Sequence, residues 1–170
     1  MDITRLIEDD HQEQRRLFAQ IEDIPDSATS ALTAVWGRLR ALLDAHAEAE
    51  ERFFYPEVLK IGHGAADSQS ASDETKDAIK DHNEIRDAAS AVETCKPGTR
   101  EWRSAVAKAN KANGDHMAEE ERQGLADFRQ NASLDLRQTL AVQFAEFEAK
   151  HLEGVKPVDK DPDQYIRENK

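Results

Sequence analysis

His46-Ala47-Glu48-Ala49-Glu50-Glu51 returns 70 residues later as His116-Met117-Ala118-Glu119-Glu120-Glu121, identical at three of six positions. A second repeated string stands ahead of each copy. Asp10-His11-Gln12-Glu13-Gln14-Arg15 matches Asp81-His82-Asn83-Glu84-Ile85-Arg86 at four of six positions, with a shift of 71. The chain between the paired histidines is nearly the same length in both copies, 35 residues from His11 to His46 and 34 from His82 to His116. A period of this kind marks a duplicated supersecondary unit. The unit reads as a helical hairpin, because a His and a Glu four residues apart share one face of a helix.

Outward from these strings, apolar residues keep helical spacing. Ile3, Ile7, Leu17, Phe18, Ile21 and Ile24 predict a first helix over roughly residues 2–24, stopped by Pro25-Asp26-Ser27. Ser27 is the expected N-cap of a second helix. There Leu32, Val35, Leu39, Leu42, His46, Glu50 and Phe53 follow in steps of three and four, to about Ile61 and the stop Gly62-His63-Gly64. Pro56 is expected to kink this helix, since proline removes one intrahelical hydrogen bond. After a polar stretch, Ala65 to Asp73, a third helix carries Ala78, His82, Ile85, Ala89 and Val92 and closes at Pro97-Gly98-Thr99. The fourth places Trp102, Ala105, Ala109, Asn113, His116 and Glu120 on one face, with Phe128 near its end. Asn131 and Ser133 are the next stop and cap signals. A fifth helix, with Leu136, Leu140, Phe144 and Phe147, is expected to pack outside the bundle.

The predicted fold is therefore all-α, an up-down-up-down four-helix bundle with an additional C-terminal helix and an extended tail. Composition agrees: 7 Gly and 5 Pro in 170 residues, and 38% apolar content, enough for one core. Residues 1–153 are expected to form the bundle domain. Residues 154–170 are expected to be a charged tail, extended or loosely docked, with Tyr165 and Ile166 as late anchors. The net charge of −12 repels phosphate backbones and anionic lipid headgroups, so neither nucleic acid nor membrane is an expected partner. Cys95 is the single cysteine and can form no intrachain disulfide. With no signal-like N-terminus and no apolar run of about 20 residues, the expected location is cytoplasmic.

Turns centred near residues 27, 66 and 97 set the heights of the repeated side chains. His11 and His46 lie 16 and 19 residues from the first turn, His82 and His116 lie 15 and 19 from the third, and Glu50 and His82 each lie 16 from the middle one. At ~1.5 Å rise per residue, four histidines meet within about one turn of a common level. The i, i+4 pairing lets each imidazole hold one metal while the carboxylate, with two oxygens, reaches two. His11, His46, Glu50, His82, His116 and Glu120 are thus the candidate ligands of a two-metal centre. Mixed nitrogen and oxygen donors suit iron, manganese or zinc and disfavour calcium or magnesium.

A lone histidine on a core-facing stripe is ordinarily a partly buried side chain. Six ionisable groups in one cross-section are not explained that way, because each uncompensated group costs several kcal/mol to bury. Glu51 and Glu121 point about 100° away and read as surface or ligand-supporting residues. Arg15 and Arg86, each four residues after a candidate histidine, read first as solvated helix-edge residues and second as holders of a carboxylate behind the site; His63 and His151 read as surface histidines, the latter near a helix C-terminus. Phe53, Phe54, Trp102 and Phe128 read as apolar lining that keeps the site dry or as plain core. Tyr55, nine residues after His46 and about half a turn round, reaches the site only if Pro56 distorts the helix.

These motifs resemble the haemerythrin-like, or HHE, cation-binding domain family: His, then His-x-x-x-Glu, then His, then His-x-x-x-Glu. The match covers roughly residues 3–130. His46 through Pro56, with its trailing Phe53-Phe54-Tyr55-Pro56, looks like the family's first metal motif. The resemblance implies a non-haem centre of two iron ions with an oxo or hydroxo bridge, zinc or manganese being substitutes. It implies His11 and His46 on one iron, His82 and His116 on the other, and Glu50 and Glu120 bridging. The oxygen-carrying haemerythrins, similar in other respects, have a His-x-x-x-His pair on the third helix, where this chain has Ala78 and Arg86 one turn either side of His82. Of about twelve positions on two octahedral irons, about ten are then filled, which leaves one open place on each. The expected partner is a small ligand (dioxygen, peroxide or nitric oxide), with peroxide- or NO-handling enzyme activity or sensing favoured over simple oxygen storage. The alternative is an iron-responsive regulatory module without catalysis.

Overall fold

The computed structural model describes residues 1–64 and 70–170. The turn expected near residue 66 lies outside the described residues. Helix α1 runs Ile3–Asp23 and α2 Thr29–Ala49. A π-helical turn, Glu50–Phe54, joins α2 to α3, Tyr55–Ile61. Then come α4 Ala71–Glu93, α5 Arg100–Arg122, α6 Gly124–Asn131, α7 Leu134–Lys150 and α8 Pro162–Asn169. No strand occurs among the described residues. No helix among them is long and apolar enough to cross a membrane.

Local chemistry explains most of the starts. The Asp2, Ser70, Thr99, Ser133 and Asp161 side chains accept from backbone N–H groups in the first turns of α1, α4, α5, α7 and α8. Ser27 does not play that part for α2. The cap position falls on Ala28, which makes no side-chain cap bond, and its amide closes a turn on the Pro25 carbonyl at 2.9 Å. The interruption of the second helix also differs in kind from the expected kink. Pro56 has no N–H to donate, and the turn before it widens so that the Tyr55 amide reaches the Glu50 carbonyl, five residues back.

Helices α1, α2, α4 and α5 close the up-down-up-down bundle, α1 packing on α2 and α5, and α4 on α5 and α2. Its apolar interior is split in two. One cluster, at the end of the first and third turns, contains Leu17, Phe18, Ile21, Trp36, Leu39, Val92 and Trp102. The other contains Ile3, Ile7, Phe54, Val58, Ile79, Leu125, Phe128 and the inner face of α7, Leu140, Phe144 and Phe147. Between them lies a buried polar layer of His11, Gln14, His46, Glu50, His82, Asn113, His116 and Glu120. Helix α7 flanks the bundle against α1 and α2, as expected of the fifth helix. The tail departs from expectation. It is anchored by Tyr165 and Ile166, but it ends in a helix, α8, that packs on α3 and α4 with Tyr165 buried.

Candidate metal centre

All six sequence-predicted ligands come together in the polar layer, each at most 5% exposed. His11 and His46 pair edge to face with ring centroids 5.1 Å apart, and His82 and His116 at 4.6 Å. Glu50 stands between the pairs. Its Oε1 lies 3.0 Å from His46 Nε2 and its Oε2 lies 3.2 Å from His82 Nε2. Glu120 is arranged differently. Its Oε2 is 3.2 Å from His11 Nε2, but its Oε1 accepts from the Tyr55 hydroxyl at 2.5 Å. Two groups of converging donors result, His11, His46, Glu50 and Glu120 in one, Glu50, His82 and His116 in the other.

Each imidazole is backed by a carboxylate. His46 Nδ1 donates to Asp10 Oδ2 at 2.9 Å, His11 Nδ1 to Glu121 Oε1 at 2.9 Å and His82 Nδ1 to Glu51 Oε1 at 2.7 Å. Asp81 Oδ2 lies 3.5 Å from His116 Nδ1. A proton held on Nδ1 leaves the Nε2 lone pair facing inward, the orientation that metal-bound histidines take from such partners. The inward atoms then lack partners of their own. His11 Nε2, His46 Nε2, both Glu50 oxygens and Glu120 Oε2 are buried without a hydrogen bond, and the Nε2 atoms of His82 and His116 face each other at 3.1 Å. Lone pairs packed this closely in a dry layer repel unless a cation sits among them. The donor set fits a metal.

The sequence of this chain matches a family model described as the hemerythrin HHE cation binding domain over residues 2–126. The chain belongs to this family. It is a metal-binding hemerythrin-like protein, with His and Glu groups placed to hold ions. It is also similar to a DNA nickase of Nostoc sp. (strain PCC 7120 / SAG 25.82 / UTEX 2576), 27% identical over 144 residues. That match takes in 85% of this chain but 38% of the relative, so the chain spans well under half of that protein's length. No solved structure was found to match the chain.

Without metal, protons take the cation's place in the hemerythrin-like layer. Burial disfavours a charged His82, yet Glu50 and Glu51 outweigh it and raise its pKa to about 9. Burial likewise opposes ionisation of Glu51, but His82, Arg86 and Lys160 pull it down to about 2. Metal entry at neutral pH must therefore displace protons from imidazole.

Several residues read otherwise in the sequence belong here. Arg86 is buried and donates to Glu51 Oε1 at 2.8 Å, and Arg15, half-exposed, donates to Glu121 Oε1 at 2.8 Å; neither is merely a solvated helix edge. Tyr55 enters because the π-turn adds about one residue to a helical turn and swings the following side chain by roughly 100°. Phe144 of α7 caps His46 edge to face at 6.1 Å. Phe54 and Phe128 pack on each other in the cluster beside the site. Trp102 belongs to the far cluster with Trp36, and Phe53 lies against Phe147. His63 is exposed, and His151 points Nδ1 at the Phe147 carbonyl at 2.7 Å, near the end of α7. The signal for Asp10, Asp81, Arg15 and Arg86 was present, since all four are letters of the repeated string.

Proposed function

We propose that the chain is a non-haem di-iron protein that binds a small ligand, dioxygen, peroxide or nitric oxide, at a two-metal centre held by His11, His46, Glu50, His82, His116 and Glu120. The observation that carries this reading is the set of five buried, unpartnered donor atoms between two histidine pairs. Glu50 has one oxygen toward each pair and would bridge, while Glu120 would serve the His11 and His46 side. Iron would supply Lewis-acid and redox chemistry there. The protein's own residues do the rest. Outer carboxylates orient the imidazoles, Phe144 and Phe54 exclude water, and Tyr55 holds Glu120 Oε1 through its hydroxyl proton.

A narrow cleft between α4 and α5, with a free volume of about 10 Å³, reaches this centre, lined by Glu74, Asp81, Tyr55, His116 and Glu120. That space is about the size of one water molecule, which favours a diatomic molecule or peroxide over a larger substrate. Nucleic acid is not a partner in this reading, because the net charge of −12 opposes it and the Nostoc relative is matched over only 38% of its length.

The test is elemental analysis and an optical spectrum of protein purified and then loaded with ferrous iron. Two iron ions per chain with oxygen-dependent absorption bands are expected, and fewer than one ion per chain would sink the proposal. Melting the same samples with and without iron separates a second reading, a metal-responsive module without catalysis. That reading is favoured by the position of the charged layer between two apolar clusters, and it requires iron to raise the melting temperature steeply.

A further inference from the structure

The two outer glutamates that follow the metal-facing ones are not held alike. Glu121 takes His11 and Arg15 on one oxygen, and its side chain is 31% exposed. Glu51 has a fully buried side chain and takes His82 and Arg86 on Oε1, while Lys160 reaches its Oε2 from the C-terminal segment. Lys160 Nζ also donates to Glu48 at 2.9 Å, one turn back along the same helix face. Without Lys160, Glu51 would keep Arg86 and His82 on Oε1, but its Oε2 would be a buried anionic oxygen that has lost its hydrogen-bond partner, a costly state that turning of the carboxylate would relieve.

The same segment holds the Glu51 backbone. In the π-turn the Tyr55 amide goes to the Glu50 carbonyl, and Pro56, next in register, has no N–H to give the Glu51 carbonyl. The Tyr165 hydroxyl of α8 donates to that carbonyl at 2.5 Å. The segment is in turn tied to the residue after His82. Asn83 donates to the Lys160 carbonyl at 2.8 Å and accepts from the Lys160 amide at 3.1 Å. Gly154, at φ 87° and with its Cβ position 3.0 Å from the Ala41 backbone, lets the chain leave α7 close across α2.

We propose that the C-terminal segment is a clamp in which Lys160 and Tyr165 are positioning residues: they fix Glu51, which orients His82, so that one of the two metal sites depends on the docked tail. The inference rests on the two-metal reading above. It gives the segment a task in ligand orientation that packing alone would not require. Lys160 acts through Glu51 and not on metal directly, so its removal costs less than the 10–100-fold typical of a group that touches the ligand; about 3–10-fold is expected.

The experiment uses the full chain freed of metal and titrated with cobalt(II), whose visible bands report each site's ligand geometry. Wild type should fill in two steps. Lys160→Met should weaken one step about 3–10-fold and alter that step's bands, leaving the other step unchanged. Lys160→Arg, which keeps the cation, should restore both. Equal weakening of both steps, no weakening, or failure of the arginine to rescue would overturn the proposal while leaving the metal centre standing. A wild-type chain that takes up no cobalt would overturn both. If Lys160→Met does not fold, Tyr165→Phe, which deletes one hydroxyl, carries the same expectation for the same step, and unchanged titration there overturns the clamp.

Discussion

The first hairpin, residues 3–61, and the second, residues 71–131, deliver the same chemistry from different backbones. Each supplies a histidine preceded by an aspartate, a second histidine, and a glutamate followed by another. The aspartate always backs the other histidine of its own hairpin, and the second glutamate always backs a histidine of the opposite one. Past the glutamates both helices break, the first in the π-turn Glu50–Phe54, the second at Gln123 between α5 and α6. Only the first break is followed by a tyrosine, and Tyr55 takes an oxygen of the other hairpin's Glu120. Duplication thus preserved the candidate donors and let their surroundings diverge, so that two chemically equal sets of side chains came to be held unequally.

The sharpest way to break this comparison is to exchange the two metal-facing glutamates for alanine. Glu50 belongs to both converging groups and Glu120 to one, and Glu50 offers both oxygens where Glu120 has given one to Tyr55. Glu50→Ala should abolish binding of both metals. Glu120→Ala should retain about one ion per chain, on the His82 side, since only the other group loses a ligand. Metal content after iron loading and desalting reads both. Equal loss from the two variants would mean that the sites are equivalent after all.

A smaller effect should follow one layer out. Glu51→Gln and Glu121→Gln each exchange a charged acceptor for a neutral amide behind one histidine, a change that costs metal affinity about 10–100-fold. The buried Glu51, with two more cations leaning on it, should lie at the upper end of that range, and the partly exposed Glu121, where water can substitute, at the lower end. Competition with a colorimetric chelator orders them. The reverse order would show that Lys160 and Arg86 weaken, and do not strengthen, the hold of Glu51 on His82.

The repeat explains why so much of the centre could be read from the sequence, and also where reading stopped. Helix heights follow from counting residues to a turn, so the meeting of the six candidate side chains in one layer was accessible without coordinates. Of the four letters shared by Asp10-His11-Gln12-Glu13-Gln14-Arg15 and its copy, three serve the site. The fourth, Glu13 or Glu84, faces outward to Arg16 and Arg38 or to Lys80. Periodicity cannot tell an outward arginine from one that bends inward, because i+4 places Arg86 on the helix edge and only the partner Glu51 decides. Tyr55, Phe144 and Lys160 were out of reach for a different reason. Each depends on a non-repeated event: a widened turn, the side chosen by a flanking helix, the path of a tail whose composition alone argued for looseness.

Glu74, one residue before Thr75 in the first turn of α4, has no charged counterpart in the first hairpin and offers the mildest test of the asymmetry. It lies 5% exposed on the cleft beside Tyr55 and Glu120, and neither carboxyl oxygen has a hydrogen-bond partner. Burial, with the negative Asp127 and Glu120 adding to it, pushes its pKa from 4.5 up to about 8. The sign follows from linkage. Between about pH 4.5 and 8 the unfolded chain releases this proton while the folded protein keeps it, so stability falls as pH rises through that window. Glu74→Gln keeps the shape, cannot ionise, and escapes the fall. Its melting temperature should match wild type near pH 4.5 and exceed it by several degrees at pH 8, a gain of about 1–3 kcal/mol. A difference that stayed flat with pH would mean that the Glu74 carboxyl finds water or a cation through the cleft, and that the mouth of the site is wetter than its lining implies.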